Sequence, residues 1–405
     1  MRTFLLLCVL HMCVFSLAQD RCVSYGYAEV QRTENPIEAQ RIAEAESFLL
    51  KRNTITTNNA RTEMPAVIKI PVVVHVLYNN ASQNISEAQV KSQIDALNRD
   101  FRRINSDTAN TPKRFQAIAA DVQIEFYLAT ADPNGRATNG IVRKSTNVAN
   151  WLANDKVKFS SQGGDDAWDT KSYLNIWVGN LVSGAGYATS PGSDAMKDGV
   201  VIHTGAFGTT NGSGPYTLGR ITVHEVGHWL GLRHIWGDTQ CGDDLVGDTP
   251  QQSWYTQNCP TGFRSSCSNG EAGDMYMNYM DYTADACMNL FTDGQKRRMR
   301  ACFEDSGPRE SLLQSKGLKE PWLEEAFLPE TSTKISLFPN PTKDVLHINL
   351  GTEWIGKTVS IVNMNGIVVQ SVKVQSPLQK LDLSSLKSGM YFVKGEGLTE
   401  KFIRF

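Results

Sequence analysis

The sequence has 405 residues, of which 41% are hydrophobic and 20% charged, and its formal net charge is −2. These values are ordinary for a soluble protein of two or three domains with ample core material. The near-neutral charge gives no reason to expect nucleic acid or an anionic membrane as a partner.

Residues 1–18 are typical of a secretory signal peptide. Arg2 supplies a positive charge, an apolar run extends from Phe4 to Leu17, and the small residues Ser16 and Ala18 suit a cleavage site after Ala18. The run is short for a bilayer span, and no later segment is long and apolar enough to form one. We therefore expect an exported protein without a membrane span.

Export bears on the eight cysteines, six of which remain once Cys8 and Cys13 leave with the signal. In an oxidising compartment, a cluster of cysteines favours disulfides over a metal site. Four of the six lie close together, and sequence alone allows three pairings among them: Cys241, Cys259, Cys267 and Cys287.

Residues 19–60 are predicted to be a removable propeptide. A stretch rich in Glu, Arg and Ala from Ile37 to Lys51 indicates a helix. The polar tract at 52–60 is typical of an exposed linker, where proteolytic nicking is favoured.

Residues 61–305 are predicted to form the main globular domain. β-Branched strand patterns and an amphipathic helix precede residue 217, which favours an α+β fold with a twisted sheet packed on helices. The predicted strands are 70–78, 122–128, 173–178 and 199–203, and the helix is 86–101.

The central motif lies on a predicted helix at 217–230. His224 and His228 are four residues apart and project from one face, while Gly231 permits a sharp turn that returns His234 as a third ligand. Zinc in catalytic sites takes three such ligands and keeps one position open. Glu225 stands where a carboxylate can take a proton from water. This is the metzincin signature, and it predicts a zinc hydrolase.

The remaining chain is predicted to contain three segments. Residues 235–290 form a long irregular loop rich in Asp, which disulfides and calcium would stabilise, and a helix follows from Asp293 to about Glu304. Residues 306–334 are predicted to be a linker. Short alternating strands at 335–405 indicate a small β-sandwich.

The residues after the zinc motif resemble the pappalysin family of metzincin endopeptidases, over residues 61–305. The resemblance is carried by His234-Ile235-Trp236-Gly237-Asp238, Gly247-Asp248-Thr249-Pro250 and Met277-Asn278-Tyr279-Met280-Asp281-Tyr282. It implies a metzincin-type mixed sheet with backing and zinc-binding helices and a disulfide-stapled loop region. It also implies the disulfides Cys241–Cys267 and Cys259–Cys287.

The same resemblance implies roles for single residues. Met280 would be the floor beneath the zinc imidazoles, and Tyr282 would help to stabilise the oxyanion of the transition state. Asp244 and Thr249 would be calcium ligands, with a solvated acidic loop as the alternative. Asp285 would bind an arginine just after the scissile bond. Self-cleavage before Arg61 would then release the mature enzyme.

Cys22 has two predicted fates. Related zymogens carry a propeptide cysteine whose thiolate occupies the open position of the zinc, and thiolate is a good zinc ligand. Alternatively, Cys22 pairs with Cys302 in a disulfide. The first fate is favoured here.

The β-module at 335–405 resembles the C-terminal sorting domain of type IX secretion cargo, through Phe338-Pro339-Asn340-Pro341 and Gly389-Met390-Tyr391-Phe392-Val393. The alternative is a carbohydrate- or surface-binding sandwich. The resemblance implies a Gram-negative bacterium, a secreted or cell-surface location, and the secretion machinery as a partner.

Together these features predict a zinc-dependent endopeptidase, made as a zymogen, that cleaves proteins or peptides before Arg or Lys. The alternatives are a surface adhesin with a vestigial metal site and an enzyme that acts on a non-protein amide. The intact ligands and Glu225 argue against the adhesin.

Overall fold

The computed structural model describes residues 21–54, 64–209, 214–321, 336–350, 354–376 and 378–405. The predicted signal peptide at 1–18, and the predicted cut before Arg61, lie outside these residues. The chain divides into two compact units, with the boundary between residues 322 and 323. In the described parts, no helix combines the length and apolar character needed to cross a membrane.

Two helices form the predicted propeptide, α1 (Ser24–Glu34) and α2 (Pro36–Thr54). Proline suits the first position of α2, where a helix needs no N–H. Helix α2 is anchored by the buried Leu49 and by Glu46, whose carboxylate is 2.6 Å from Arg298. The predicted helix at 37–51 lies within α2, whereas α1 has no counterpart among the predicted elements. We call residues 21–54 the prosegment.

A six-stranded mixed sheet forms the core of the first unit, and with its helices it confirms the α+β class. Its order is β2-β1-β4-β6-β5, with β3 also paired to β1. All pairs are parallel except β5 with β6, so β5 is an antiparallel edge strand. The strands are β1 (Ile68–Tyr78), β2 (Ile124–Leu128), β3 (Ile141–Ser145), β4 (Leu174–Gly179), β5 (Gly186–Ala188) and β6 (Val200–His203).

Four α-helices follow the prosegment among the described residues of this unit. The backing helix α3 begins after Ser86, whose side chain caps the N–H of Gln89, and it buries the predicted apolar stripe. Helix α5 contacts α3, β5 and β6, and it begins three residues later than predicted because Gly219 has a left-handed φ of 77°. The helices are α3 (Glu87–Phe101), α4 (Lys113–Gln116), α5 (Arg220–Trp229) and α6 (Asp293–Ala301).

The chain between α5 and α6 is irregular, as predicted, apart from a short 3₁₀ turn at Asp285–Cys287. Two disulfides cross-link it, Cys241–Cys267 and Cys259–Cys287. These are the pairs that the resemblance implies. They restrict a segment that has almost no ladder of backbone hydrogen bonds of its own.

Residues 306–321 belong to the first unit, which corrects their assignment to a linker. Leu312 is 2% exposed within the main core. Arg309 is buried and lies 2.7 Å from Asp198. The Pro and Glu residues of this stretch suggested a solvated connector, but one leucine and one arginine anchor it.

The second unit contains two antiparallel sheets around their own core, in the order β10-β9-β12-β13 and β11-β8-β7. Its side chains alternate between buried and exposed, as expected for strands with one solvated face. The strands are β7 (Ser336–Phe338), β8 (Val345–Asn349), β9 (Thr358–Asn363), β10 (Val368–Lys373), β11 (Leu378–Asp382), β12 (Gly389–Gly395) and β13 (Leu398–Arg404).

Candidate functional site

Three imidazoles and one thiol converge beside helix α5. The Nε2 atom of His228 lies 3.1 Å from Nε2 of His224 and 3.1 Å from Nε2 of His234. The Sγ atom of Cys22 completes the group, and the four ligand atoms lie within 4.8 Å of one another. Among the described residues, no other group of three or more His, Cys, Asp or Glu side chains is arranged so that it could hold a metal ion.

The outer nitrogens of the three rings are held by acceptors. His224 Nδ1 lies 2.6 Å from the carbonyl of Tyr279, and His228 Nδ1 lies 2.9 Å from the carbonyl of Leu232. His234 Nδ1 contacts the carboxylate of Asp238. Because a carbonyl oxygen only accepts, Nδ1 carries the proton in His224 and His228, and each Nε2 presents a lone pair to the centre.

Two imidazoles of the cluster, those of His224 and His228, are neutral. Burial, followed by the neighbouring histidines, lowers the pKa of His224, and burial lowers the pKa of His228 to about 3. Three lone pairs this close repel one another unless a cation lies between them. The donor set therefore fits a bound metal, and three nitrogens with one thiolate suit zinc.

Two glycines let the chain fold tightly around the cluster. Gly231 has a φ of 86° and ends α5, which lets the chain return with His234. A Cβ at Gly227 would lie 2.6 Å from the sulfur of Met280, which is fully buried against α5. The thioether thus packs beneath the helix turn that carries the first two histidines.

Glu225 is buried beside the cluster. Its Oε2 accepts a hydrogen bond of 2.8 Å from the hydroxyl of Ser24, and Cys22 Sγ lies 3.5 Å away. Its Oε1 has no hydrogen-bond partner among the described residues. Burial raises the pKa of this carboxyl to about 7. A carboxyl in this range exchanges protons readily near neutral pH.

The prosegment enters the site as an added strand. The N–H of Val23 donates to the carbonyl of Gly186 at 3.1 Å, and the N–H of Ala185 donates to the carbonyl of Arg21 at 3.1 Å. This pairing with the edge strand β5 is parallel. It fixes the Cys22 thiol at the histidines, where burial and then Glu225 raise the thiol pKa.

The alternative disulfide between Cys22 and Cys302 is not formed. Both cysteines are free and buried. Cys302 instead donates from its thiol to the carbonyl of Leu230 at 3.3 Å. Its role is packing behind the end of α5.

Tyr282 packs against the cluster. Its ring centroid lies 5.0 Å from that of His234, and its hydroxyl donates to the backbone carbonyl of Cys22 at 2.8 Å. Burial raises the pKa of this phenol, so the hydroxyl keeps its proton. It thus donates to a peptide carbonyl next to the histidine cluster.

Asp285 is buried, and its carboxylate contacts the side chain of Arg21. Its Oδ2 accepts from the backbone N–H of Leu218 at 2.9 Å and of Arg220 at 3.2 Å. Its Oδ1 faces Arg21 of the prosegment, 3.3 Å away. Burial raises the pKa of Asp285, while the guanidinium of Arg21 opposes that shift.

Asp244 and Thr249 lie next to each other in the irregular segment. The hydroxyl of Thr249 donates to both oxygens of Asp244, at 2.8 and 2.9 Å, and Val246 N–H donates to Oδ1. Burial raises the pKa of Asp244 to about 7. Within the described residues, these two do not join a cluster of three or more carboxylates.

Several site residues had no prediction from sequence: Arg21, Ser24, Tyr216, Asp238 and Thr283. Asp238 carried a usable signal, since it follows His234 by four residues and a ligating histidine commonly donates to a carboxylate. The prosegment residues carried none. Arg21 contacts Asp285 264 positions away along the chain, and Ser24 contacts Glu225 201 positions away.

Comparisons with known proteins agree with these features. Residues 158–304 match the peptidase family M43, described as pregnancy-associated plasma protein-A, and residues 336–404 match the secretion system C-terminal sorting domain. An extracellular metalloprotease of Arthroderma benhamiae is 32% identical over 266 residues, which cover 61% of this chain and 82% of that protein. One of Pyricularia oryzae is 30% identical over 306 residues, covering 72% and 94%.

Two solved structures from Tannerella forsythia are similar. Mature mirolysin in complex with a cleaved peptide has a TM-score of 0.60 and 52% identity, covering 62% of this chain and 97% of that one. A promirolysin mutant has a TM-score of 0.65 and 47% identity, covering 73% and 97%. The match is longer for the precursor than for the mature form.

Proposed function

The chain belongs to the pappalysin (M43) family of metalloendopeptidases, and we propose that it is a zinc-dependent, arginine-directed member made in a latent form. The observation that carries the proposal is the convergence of three imidazole Nε2 atoms and the Cys22 thiol beside Glu225. In this latent form, the prosegment covers both the proposed metal ligands and the proposed specificity pocket around Asp285.

We assign the metal to zinc, held by His224, His228 and His234 with Cys22 as the fourth ligand of the latent form. Zinc bound there supplies Lewis acidity, which polarises a peptide carbonyl and makes water more acidic. Asp238 and the two backbone carbonyls orient the rings through Nδ1. Met280 supports the ligand helix from below.

Protein side chains move the protons of the reaction. Glu225 accepts a proton from the attacking water and returns it to the leaving amine, a role that its place beside the three histidines allows. The Tyr282 hydroxyl donates to the carbonyl oxygen as charge develops there. Its 2.8 Å contact with the Cys22 carbonyl supports this assignment.

Asp285 gives the preference for a basic residue, Arg or Lys, just after the scissile bond. Two backbone amides fix its Oδ2 and leave Oδ1 facing the pocket. Arg21 occupies that pocket in the latent chain and is 2% exposed. A buried carboxylate that already holds a guanidinium is chemically suited to select another.

Latency follows from three contacts of the prosegment. Arg21 fills the pocket of Asp285, Cys22 lies at the histidines, and Ser24 donates to the general base Glu225. When a substrate arginine occupies the pocket of Asp285, the residue that precedes it in the substrate would lie at the metal. In the latent chain, the residue at the histidines is Cys22, which follows Arg21. The prosegment therefore crosses the site in the direction opposite to a substrate.

Latency is tested on the uncut full chain. Cys22→Ser should raise its peptidase activity above that of the parent, because a hydroxyl is a poorer zinc ligand than a thiolate. Cys302→Ser, the other buried free thiol, is the matched control and should leave the chain latent. Equal activity of the two variants would refute the Cys22 assignment.

Asp244 and Thr249 remain a proposed calcium position. Burial raises the pKa of Asp244, and a bound divalent cation would stabilise its charged form. Calcium should raise the melting temperature of the parent but not of Asp244→Asn. The same rise in both proteins would remove Asp244 as a ligand.

The sorting domain at 336–404 supports export through a type IX secretion system of a Gram-negative cell, to the surface or the medium. The named relatives of the catalytic region are extracellular. We propose that cleavage in the linker, before Arg61, releases the mature enzyme, since Arg61 satisfies the arginine preference. N-terminal sequencing of the secreted product tests this, and a start at any other residue contradicts it.

The proposed activity is tested with the full chain after limited tryptic cleavage of the linker, with trypsin then blocked by a serine-protease inhibitor. Incubation with a denatured protein should give peptides, a chelator should stop cleavage, and zinc should restore it. Cleavage unaffected by the chelator would reject the zinc mechanism. No cleavage at all would favour an adhesin.

A further inference from the structure

The pocket around the Arg21 guanidinium contains more than a carboxylate. The group donates to the backbone carbonyl of Thr283 and to the carboxylate of Asp285, and one nitrogen lies 3.0 Å from the sulfur of Met288. The ring of Tyr216 covers it, with the guanidinium carbon 5.3 Å from the ring centroid. Three kinds of group therefore surround the guanidinium: the carboxylate of Asp285, the backbone carbonyl of Thr283 and the aromatic ring of Tyr216.

Tyr216 is held in place by the same residue that supplies the carboxylate. The N–H of Asp285 donates to the carbonyl of Pro215 at 2.8 Å, and the N–H of Leu218 donates to Asp285 Oδ2 at 2.9 Å. Tyr216 lies between these two anchors. Its loop therefore cannot shift without disturbing the carboxylate, and its ring is part of the pocket rather than a loose cover.

This combination discriminates between the two basic side chains. A guanidinium is planar, carries donors in several directions at once, and stacks on an aromatic ring while it binds a carboxylate and a carbonyl. An ammonium group is a compact, strongly hydrated charge that reaches Asp285 but gains less from a ring face. Charge alone, from Asp285, would accept both Arg and Lys.

We propose that Tyr216 is a specificity-determining residue, whose ring makes the enzyme prefer arginine over lysine just after the scissile bond. This rests on the proposed function, namely that the Asp285 pocket receives that residue of the substrate. Asp285 selects a positive charge, and Tyr216 then distinguishes between the two residues that carry one. Arg21 shows how the selected side chain is bound.

The experiment uses two peptides that differ only in Arg or Lys after the scissile bond. The full chain is activated by limited tryptic cleavage, trypsin is blocked, and kcat/KM is measured for parent, Tyr216→Leu and Tyr216→Phe. Tyr127→Leu, a partly exposed tyrosine on strand β2, is the matched control. Because each ratio of Arg to Lys peptide comes from one preparation, partial unfolding cancels.

The Arg to Lys ratio should fall by about three- to tenfold in Tyr216→Leu, as expected for the loss of one cation–π contact. It should stay within about twofold of the parent in Tyr216→Phe, which keeps the ring. An unchanged ratio in Tyr216→Leu, or an equal fall in Tyr127→Leu, overturns the role of Tyr216. If Tyr216→Leu does not fold, Tyr216→Met provides the same ring-free comparison.

The parent enzyme separates this inference from the function on which it rests. If the parent cleaves neither peptide, the peptidase assignment itself fails. If it cleaves both peptides equally, the arginine preference fails and the inference with it. If the parent prefers Arg and Tyr216→Leu retains that preference, only the inference about Tyr216 fails.

Discussion

The metal cluster and the Asp285 pocket adjoin each other but are built in different ways. Three of the cluster's four side chains come from eleven consecutive residues, His224 to His234, on one helix and the turn after it. The pocket is assembled from loops around Tyr216 and Asp285 and is filled by Arg21, 264 positions from Asp285. The proposed catalytic residues are thus encoded locally, whereas the proposed specificity pocket depends on the tertiary fold.

This difference predicts that the two regions fail separately. Changes at the cluster should remove hydrolysis of every peptide, while changes at the pocket should alter only which peptides are cleaved. Glu225→Ala tests the cluster, and Asp285→Asn tests the pocket.

The largest effect is expected at the cluster. Glu225→Ala removes the group that accepts and returns the proton, so kcat should fall by about 10²- to 10⁴-fold for all peptides alike. The three histidines remain, so the zinc content by elemental analysis should match that of the parent. Activity in this variant would refute the assignment of Glu225 as general base. Loss of zinc would show that Glu225 also keeps the three histidines in position to bind the metal.

A smaller and selective effect is expected at the pocket. Asp285→Asn removes the charge that binds the guanidinium, so kcat/KM for an Arg peptide should fall by about 10- to 100-fold, the range for a hydrogen bond to a charged group. A peptide with citrulline, the neutral analogue of arginine, provides the control and should be cleaved at a similar rate by both enzymes. A parallel loss for both peptides would place Asp285 in the structural core instead.

The pocket should also respond to pH. Burial raises the pKa of Asp285, and in the latent chain Arg21 opposes the rise, with Arg220 adding a second positive charge nearby. Cutting away the prosegment removes Arg21, so the raised pKa persists or increases. As the pH falls through that value the carboxylate gains a proton and loses its charge, at a higher pH than an exposed aspartate would.

The ratio of kcat/KM for Arg and citrulline peptides should therefore fall by about threefold or more between about pH 8 and about pH 5. Taking the ratio at each pH cancels titration at the metal cluster. In Asp285→Asn the ratio should not change with pH. A ratio that is equally flat in the parent would contradict the raised pKa.

The sequence predicts the fold and the two halves of the site to different degrees. The α+β class, helix α3 and the long strands follow from periodicity, and the resemblance to pappalysins and to the sorting domain is confirmed by the comparisons. Strand β5 has only three residues, Gly186–Ala188, and no alternation to detect. It nevertheless forms the edge on which the prosegment pairs.

The prosegment shows why the remaining contacts of the site could not be predicted from the sequence. Cys22 stood out because a lone thiol near an N-terminus has few roles, and zinc chemistry favoured one of them. Arg21 and Ser24 are ordinary residues in any sequence. Only the fold brings them to Asp285 and Glu225, through contacts that no local pattern encodes.

Cleavage-site profiling tests the central claim most directly. The activated full chain, with trypsin blocked, is incubated with a complex peptide mixture, and the new termini are identified by mass spectrometry with and without a chelator. We expect new N-termini that begin overwhelmingly with Arg, then Lys, and that disappear with the chelator. Termini without a basic residue, or the same termini in the presence of the chelator, would contradict it.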